Sequence, residues 1–120
     1  MITGIGTDIV EIPRISKLTE NSRFLESYFT KAENEYFITK HKNPQTVAAS
    51  FAAKEAFSKA LGTGIRGFSL KDIEVLRDDL GKPYINVYNN AKKMVMDATI
   101  HVSLSHSEKY ATAFVVIETR

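Results

Sequence analysis

Asn43-Pro44-Gln45-Thr46-Val47-Ala48-Ala49-Ser50-Phe51-Ala52-Ala53-Lys54-Glu55-Ala56-Phe57-Ser58-Lys59-Ala60-Leu61-Gly62 is the longest stretch of the chain with a single backbone preference. Asn43 is a good N-cap residue, and Pro44 suits the first helical position, where no N–H is needed. Nothing from there to Leu61 breaks a helix, and Gly62 supplies a left-handed stop. Downstream the period changes. Ile73-Glu74-Val75-Leu76 and Tyr84-Ile85-Asn86-Val87-Tyr88 read as two strands, joined by a hairpin turn at Asp78-Asp79-Leu80-Gly81-Lys82. Asn89 or Asn90 caps a short helix through Met94 and Met96. Ile100 to Ser105 alternates, with Ile100, Val102 and Leu104 on one face and His101, Ser103 and Ser105 on the other. Tyr110 to Glu118 reads as the last strand, and Val115-Val116-Ile117 suggests burial on both of its faces.

Upstream, Ile2 to Val10 reads as a first strand in which Gly4 and Gly6 permit close backbone approach. Pro13 fits the first turn of a helix whose apolar stripe is Ile12, Ile15 and Leu18, continued by Phe24 and Leu25 after Asn21-Ser22. Thr30-Lys31-Ala32-Glu33 is a capping box, so a helix is expected from about Lys31 to Thr39. Strands lie at the start and through the second half, and helices are grouped in the first half. This predicts an α+β fold, with a small antiparallel sheet packed against one long helix and several short ones. No linker, repeat or low-complexity tract interrupts residues 1–120, which read as one domain.

The 16 basic and 14 acidic residues leave a formal charge of +2, too mild to argue for nucleic acid, and no basic–aromatic alternation appears. The absence of cysteine removes disulfides, thiolate metal sites and a Cys nucleophile, and suits a reducing compartment. Met1-Ile2-Thr3-Gly4 has no basic n-region, and the longest apolar stretch, Ala113 to Ile117, is far short of the ~20 residues of a membrane span. The expectation is a cytoplasmic protein without a membrane partner. A chain of 120 residues rarely encloses a cofactor-sized cleft alone, so an enzyme of this size is expected to oligomerise.

Several residues can carry chemistry. Asp8, in an otherwise apolar strand, is either a strand-end carboxylate or a ligand for a hard cation such as Mg²⁺. Glu55 and Lys59 are an i,i+4 pair: either a surface ion pair or, with Phe51 and Ser58 on the same helical face, part of a phosphate-lined cleft. Gly62-Thr63-Gly64-Ile65-Arg66-Gly67 follows a helix rather than preceding one, so it is not a P-loop. It is a helix cap, or a loop that lets a ligand approach Lys59 and Arg66. Ser105 and His106 are adjacent and point to opposite faces of a strand, which disfavours a serine dyad. His41 and His101 have no neighbouring ligands for zinc. Pro13 to Phe24 carries Arg14, Lys17 and Arg23 against Glu20, which is a solvated face or a docking surface for an acidic partner. On these features alone, a non-catalytic binding module competes with an enzyme.

Two blocks tip the balance. Gly4-Ile5-Gly6-Thr7-Asp8-Ile9-Val10-Glu11-Ile12 and Phe51-Ala52-Ala53-Lys54-Glu55-Ala56, the latter with Lys59 to Gly64, resemble the short 4′-phosphopantetheinyl transferases, the holo-acyl-carrier-protein synthase group. Val102-Ser103-Leu104-Ser105-His106 and the terminal strand are similar to the group's third block, so the resemblance spans nearly the whole chain. It implies transfer of phosphopantetheine from coenzyme A to a serine of an apo acyl carrier protein, in support of fatty acid biosynthesis. Adenosine 3′,5′-bisphosphate would be released. By position it implies Asp8 and Glu55 as Mg²⁺ ligands and catalytic carboxylates, and Lys59 beside the diphosphate. Lys54, Gly62, Thr63, Gly64 and His106 would contact coenzyme A, and Arg14 and Lys17 would dock the carrier. Glu55 would take the serine proton directly or through a water. The resemblance also implies a homotrimer with active sites between neighbouring subunits. The chain departs at Ser50, where many members have Arg; Lys54, Lys59 or Arg66 would then cover that contact to coenzyme A phosphates.

Overall fold

The computed structural model describes residues 1–120. Its centre is the long helix α4 (Pro44–Ala60), started by the Asn43 side chain, whose Oδ1 accepts from Gln45 N, and stopped at Gly62, whose φ is +81°. Ala48, Ala52, Ala53 and Ala56 are fully buried along it, so its surface is nearly smooth and neighbours approach closely. The first strand, β1 (Ile2–Glu11), uses that smoothness. A Cβ on Gly4 would collide with the Ala60 carbonyl, and one on Gly6 with the Ala56 carbonyl. Glycine is therefore required at both positions to seat β1 on α4.

Three short helices follow β1: α1 (Ile12–Thr19), α2 (Ser22–Tyr28) and α3 (Lys31–Thr39). The capping box at Thr30 is complete: Thr30 Oγ1 accepts from Glu33 N, and Thr30 N donates to Glu33 Oε1. After α4 come a 3-10 turn (Leu70–Asp72), β2 (Ile73–Arg77), β3 (Pro83–Val87), α5 (Asn89–Val95), β4 (Thr99–His106) and β5 (Tyr110–Glu118). β5 lies between β1 and β4 in an antiparallel sheet, with Asp8 opposite Ala113 and Leu104 on its other side. The inner face of that sheet (Val10, Ala111, Ala113, Val115, Ile117) joins α4 in the core.

Several sequence expectations need correction. The single sheet divides in two, because β2 and β3 pair only with each other. The stripe from Ile12 to Leu25 breaks into two helices where Asn21 Oδ1 caps Arg23 N and starts a new turn. Tyr88, not an asparagine, occupies the N-cap of α5; the Asn89 side chain is drawn away to donate to Asp72, and the helix stops before Met96. β5 is not buried on both faces. Its inward residues alternate with Phe114, which is 46% exposed, and with half-buried Val116. The outer face of the three-stranded sheet has no covering layer in this chain and presents Ile5, Ile9 and Phe114.

Candidate active site

The seat of β1 on α4 sets the site. Gly4 faces Ala60 and Gly6 faces Ala56, so the two elements run in opposite directions. Two strand residues advance about 6.8 Å and four helix residues about 6 Å. The next residue on the same strand face, Asp8, therefore falls beside the turn of α4 that carries Glu55. Asp8, Ile9, Val10, Arg14, Phe51 and Glu55 line a cleft of about 260 Å³. Lys59 reaches back along the helix and donates to Asp8 Oδ1 at 3.1 Å and to the Thr7 carbonyl at 3.0 Å.

Hydrogen bonding in this cleft is incomplete. Asp8 Oδ2 is buried and has no hydrogen-bond partner. Burial pushes the Glu55 carboxyl above its ordinary pKa, and the nearby Asp8 charge pushes the same way, against the pull of Lys59 and Arg14. Two carboxylates thus share one mouth, one of them with a free oxygen. No cluster of three or more His, Cys, Asp or Glu side chains is close enough to hold a metal from protein ligands alone. The pair does match the donor set of Mg²⁺, which takes one or two carboxylates and completes its shell with phosphate oxygens and water.

The other sequence-selected residues lie elsewhere. Lys54 is corrected: it is 1% exposed, and its ammonium donates to Glu33 Oε1 (2.7 Å), Tyr28 O (2.7 Å) and Leu70 O (2.9 Å). All three donors are used, so none remains for a phosphate. Ser58 also turns inward, donating to the Lys54 carbonyl, and leaves the face shared by Phe51, Glu55 and Lys59. Gly62, Thr63 and Gly64 form an open loop, with Gly62 and Gly64 both at positive φ, beyond the end of α4 remote from Asp8. His106 lies on a different cleft, lined also by Tyr36, Thr46 and Arg77. Arg14 lines the Asp8 cleft itself, while Lys17 is exposed further along α1. Arg77 had no sequence signal, since Leu76-Arg77-Asp78-Asp79 reads as the solvated end of a strand.

Comparison with known proteins bears on the family and the fold. The profile of the 4′-phosphopantetheinyl transferase superfamily matches residues 4–115. The chain is 53% identical over 121 residues to a holo-[acyl-carrier-protein] synthase of Clostridium botulinum (strain Eklund 17B / Type B), covering 98% of each. Its fold is similar to that of a holo-(acyl-carrier-protein) synthase from Bacillus anthracis solved in complex with CoA (3′,5′-ADP). The TM-score there is 0.84 at 41% identity, with 100% of this chain and 99% of that one covered. It is also similar to holo-[acyl-carrier-protein] synthase from Neisseria meningitidis, with a TM-score of 0.90 at 39% identity and coverage of 99% and 100%.

Proposed function

The chain belongs to the 4′-phosphopantetheinyl transferase superfamily and to the holo-acyl-carrier-protein synthases within it, and we propose that it moves 4′-phosphopantetheine from coenzyme A to a serine hydroxyl of an apo acyl carrier protein. The observation that carries this is the cleft in which Asp8, with a free buried oxygen, stands beside Glu55 and Lys59. The serine oxygen attacks the β-phosphorus of coenzyme A. The bond from that phosphorus to the bridging oxygen breaks, and its electrons leave with adenosine 3′,5′-bisphosphate.

Asp8 and Glu55 would hold Mg²⁺, which when bound neutralises charge on the diphosphate. Lys59 places a second positive charge beside it, and most of the acceleration comes from such positioning and neutralisation. Glu55 accepts the serine proton directly or through a water; its raised pKa makes it a stronger base than an ordinary glutamate. Arg14 and Lys17 lie on successive turns of α1, beside and beyond the cleft, where an acidic carrier protein would dock.

Residues 1–120 act as one transferase domain in this scheme. A homotrimer with active sites between subunits accounts for two features of the lone chain. It would cover the outer sheet face of Ile5, Ile9 and Phe114, and it would bring a neighbour's His106 cleft, or its Gly62–Gly64 loop, to the Asp8 cleft. No helix is long and apolar enough to cross a membrane. We place the enzyme in the cytoplasm, in fatty acid biosynthesis. Incubation with coenzyme A, Mg²⁺ and an apo carrier should add about 340 Da to the carrier by mass spectrometry, and chelation of the metal should stop it. An unmodified carrier in the presence of Mg²⁺ would reject the assignment. Lys17→Glu should raise KM for the carrier and leave KM for coenzyme A unchanged; an equal rise in both would remove the docking role.

A further inference from the structure

Arg77, at the end of β2, is a half-buried guanidinium that no carboxylate pairs with. Its Nη1 donates to Ser50 Oγ at 2.7 Å, and its plane lies over the Tyr36 ring at 5.1 Å. Glu33, the acid whose charge acts on it, is already committed to Lys54 and to two backbone N–H groups. Arginine keeps its charge even where burial disfavours it, and a guanidinium has five N–H donors, of which one is used here. A cation held in a fixed orientation, short of both acceptors and countercharge, is costly unless an anion completes it.

The surroundings give that anion a place. Arg77, Tyr36, Thr46, Pro83, Leu104 and His106 line a cleft of about 250 Å³, separate from the Asp8 cleft. Its lining carries one permanent cation, one histidine, two hydroxyl-bearing side chains (Tyr36 and Thr46) and no acidic side chain. The basic substitutes for Ser50 named from sequence are not in it. Lys54 is saturated in the core, Lys59 is bound to Asp8, and Arg66 lies in the exposed loop after α4. Ser50 itself is fully buried and serves as the peg that aims the guanidinium.

We propose that Arg77, oriented by Ser50 and Tyr36, is this chain's specificity residue for a phosphate monoester, and that the group it reads is the 3′-phosphate of coenzyme A. The assignment rests on the transfer reading above. The diphosphate is taken by the Asp8 cleft, and the 3′-phosphate is the remaining anionic group of the same substrate.

The test compares kcat/KM for coenzyme A with that for 3′-dephospho-coenzyme A. In the unmodified enzyme the phosphorylated form should be preferred; equal kcat/KM for the two would overturn the proposal. Arg77→Gln should reduce that preference about tenfold or more, as expected for loss of one charge-assisted contact. Ser50→Ala, which frees the guanidinium to swing, should reduce it about threefold. An unchanged preference in Arg77→Gln, or an equal fall for both nucleotides, would overturn the proposal. Should Arg77→Gln fail to fold, Arg77→Lys keeps the charge without the fork, and its preference should still fall about threefold; no fall there would also overturn it. Calorimetric titration of adenosine 3′,5′-bisphosphate and of adenosine 5′-monophosphate separates this from failure of the transfer reading. An enzyme inactive on every carrier should still bind the bisphosphate more tightly than the monophosphate, and Arg77→Gln should abolish the difference. Equal binding of the two by the unmodified protein would reject the subsite whatever the activity.

Discussion

Lys54 and Lys59 leave the same helix little more than one turn apart, and each meets a carboxylate. The Lys54–Glu33 pair is 2.7 Å long with side chains 1% and 0% exposed; the Lys59–Asp8 pair is 3.1 Å long with side chains 56% and 14% exposed. The decisive difference is what each carboxylate has left over. Glu33 accepts from Lys54, Thr30 N and Val75 N, so both of its oxygens are occupied. Asp8 accepts from Lys59 on one oxygen and keeps the other, buried, without a partner. The first pair is closed and joins α3, α4 and β2 into one body. The second is open and can take a cation. Two lysine–carboxylate pairs on one helix thus differ in whether their hydrogen bonds are completed inside the chain.

The largest effect should come from opening the closed pair. Lys54→Ala leaves Glu33 buried without a countercharge and should cost about 3–5 kcal/mol of stability in urea denaturation. The fraction still folded should keep its KM for coenzyme A. A stable Lys54→Ala variant with a raised KM would break the comparison and return Lys54 to the substrate site. Asp8→Asn is the counterpart on the open pair. It keeps the size of the side chain and loses the charge, so transfer should fall about 10²–10³-fold while stability changes by less than about 0.5 kcal/mol. A destabilised Asp8→Asn would mean that this pair too is structural.

The contrast also marks what the sequence could and could not disclose. The long helix, the capping box at Thr30, the Asp78 hairpin and the glycines of β1 follow local rules, and each appears where those rules put it. The pairing of Asp8 with Glu55 came only through the family resemblance; its physical cause, the seat of Gly4 and Gly6 on α4 with Asp8 on the same strand face, is a long-range contact. The place of Lys54 was not legible. Inside a motif its charge points to phosphate, and nothing local reveals that Glu33, Tyr28 and Leu70 converge on it. Arg77 was invisible for the same reason: its partners Ser50 and Tyr36 are distant in sequence. The alternation of β5 was misjudged because an unbroken apolar run looks the same whether its outer face is covered by the chain or left bare.

Lys59→Ala sharpens the comparison from the open side. The ammonium is more than half exposed, so its bond to Asp8 should contribute only about 0.2–1 kcal/mol to stability. Transfer should fall about tenfold, through kcat rather than through KM for the carrier, because in the proposed reaction the charge acts on the phosphate that leaves with adenosine 3′,5′-bisphosphate. A loss of stability comparable to that of Lys54→Ala would erase the distinction between the pairs.

The smallest effect is on stability and has a definite sign. Glu55 is held above its ordinary pKa by burial and by Asp8, against the opposing pull of Lys59 and Arg14. In the unfolded chain it ionises near 4.5, earlier than in the folded protein. As pH rises through 4.5 the unfolded state therefore releases its proton first and is favoured, and the penalty is complete once pH passes the folded value. Glu55→Gln removes that penalty while abolishing transfer. Its Tm at pH 7 should exceed that of the unmodified protein by roughly 2 °C, and the advantage should vanish as pH falls below 4.5. Added Mg²⁺ should raise the Tm of the unmodified protein at pH 7 by more than that of Glu55→Gln, which keeps only one of the two carboxylates. A Glu55→Gln variant less stable at pH 7 than at pH 4, relative to the unmodified protein, would show that Glu55 is satisfied within the chain, as Glu33 is, and that the cleft is not built for a cation.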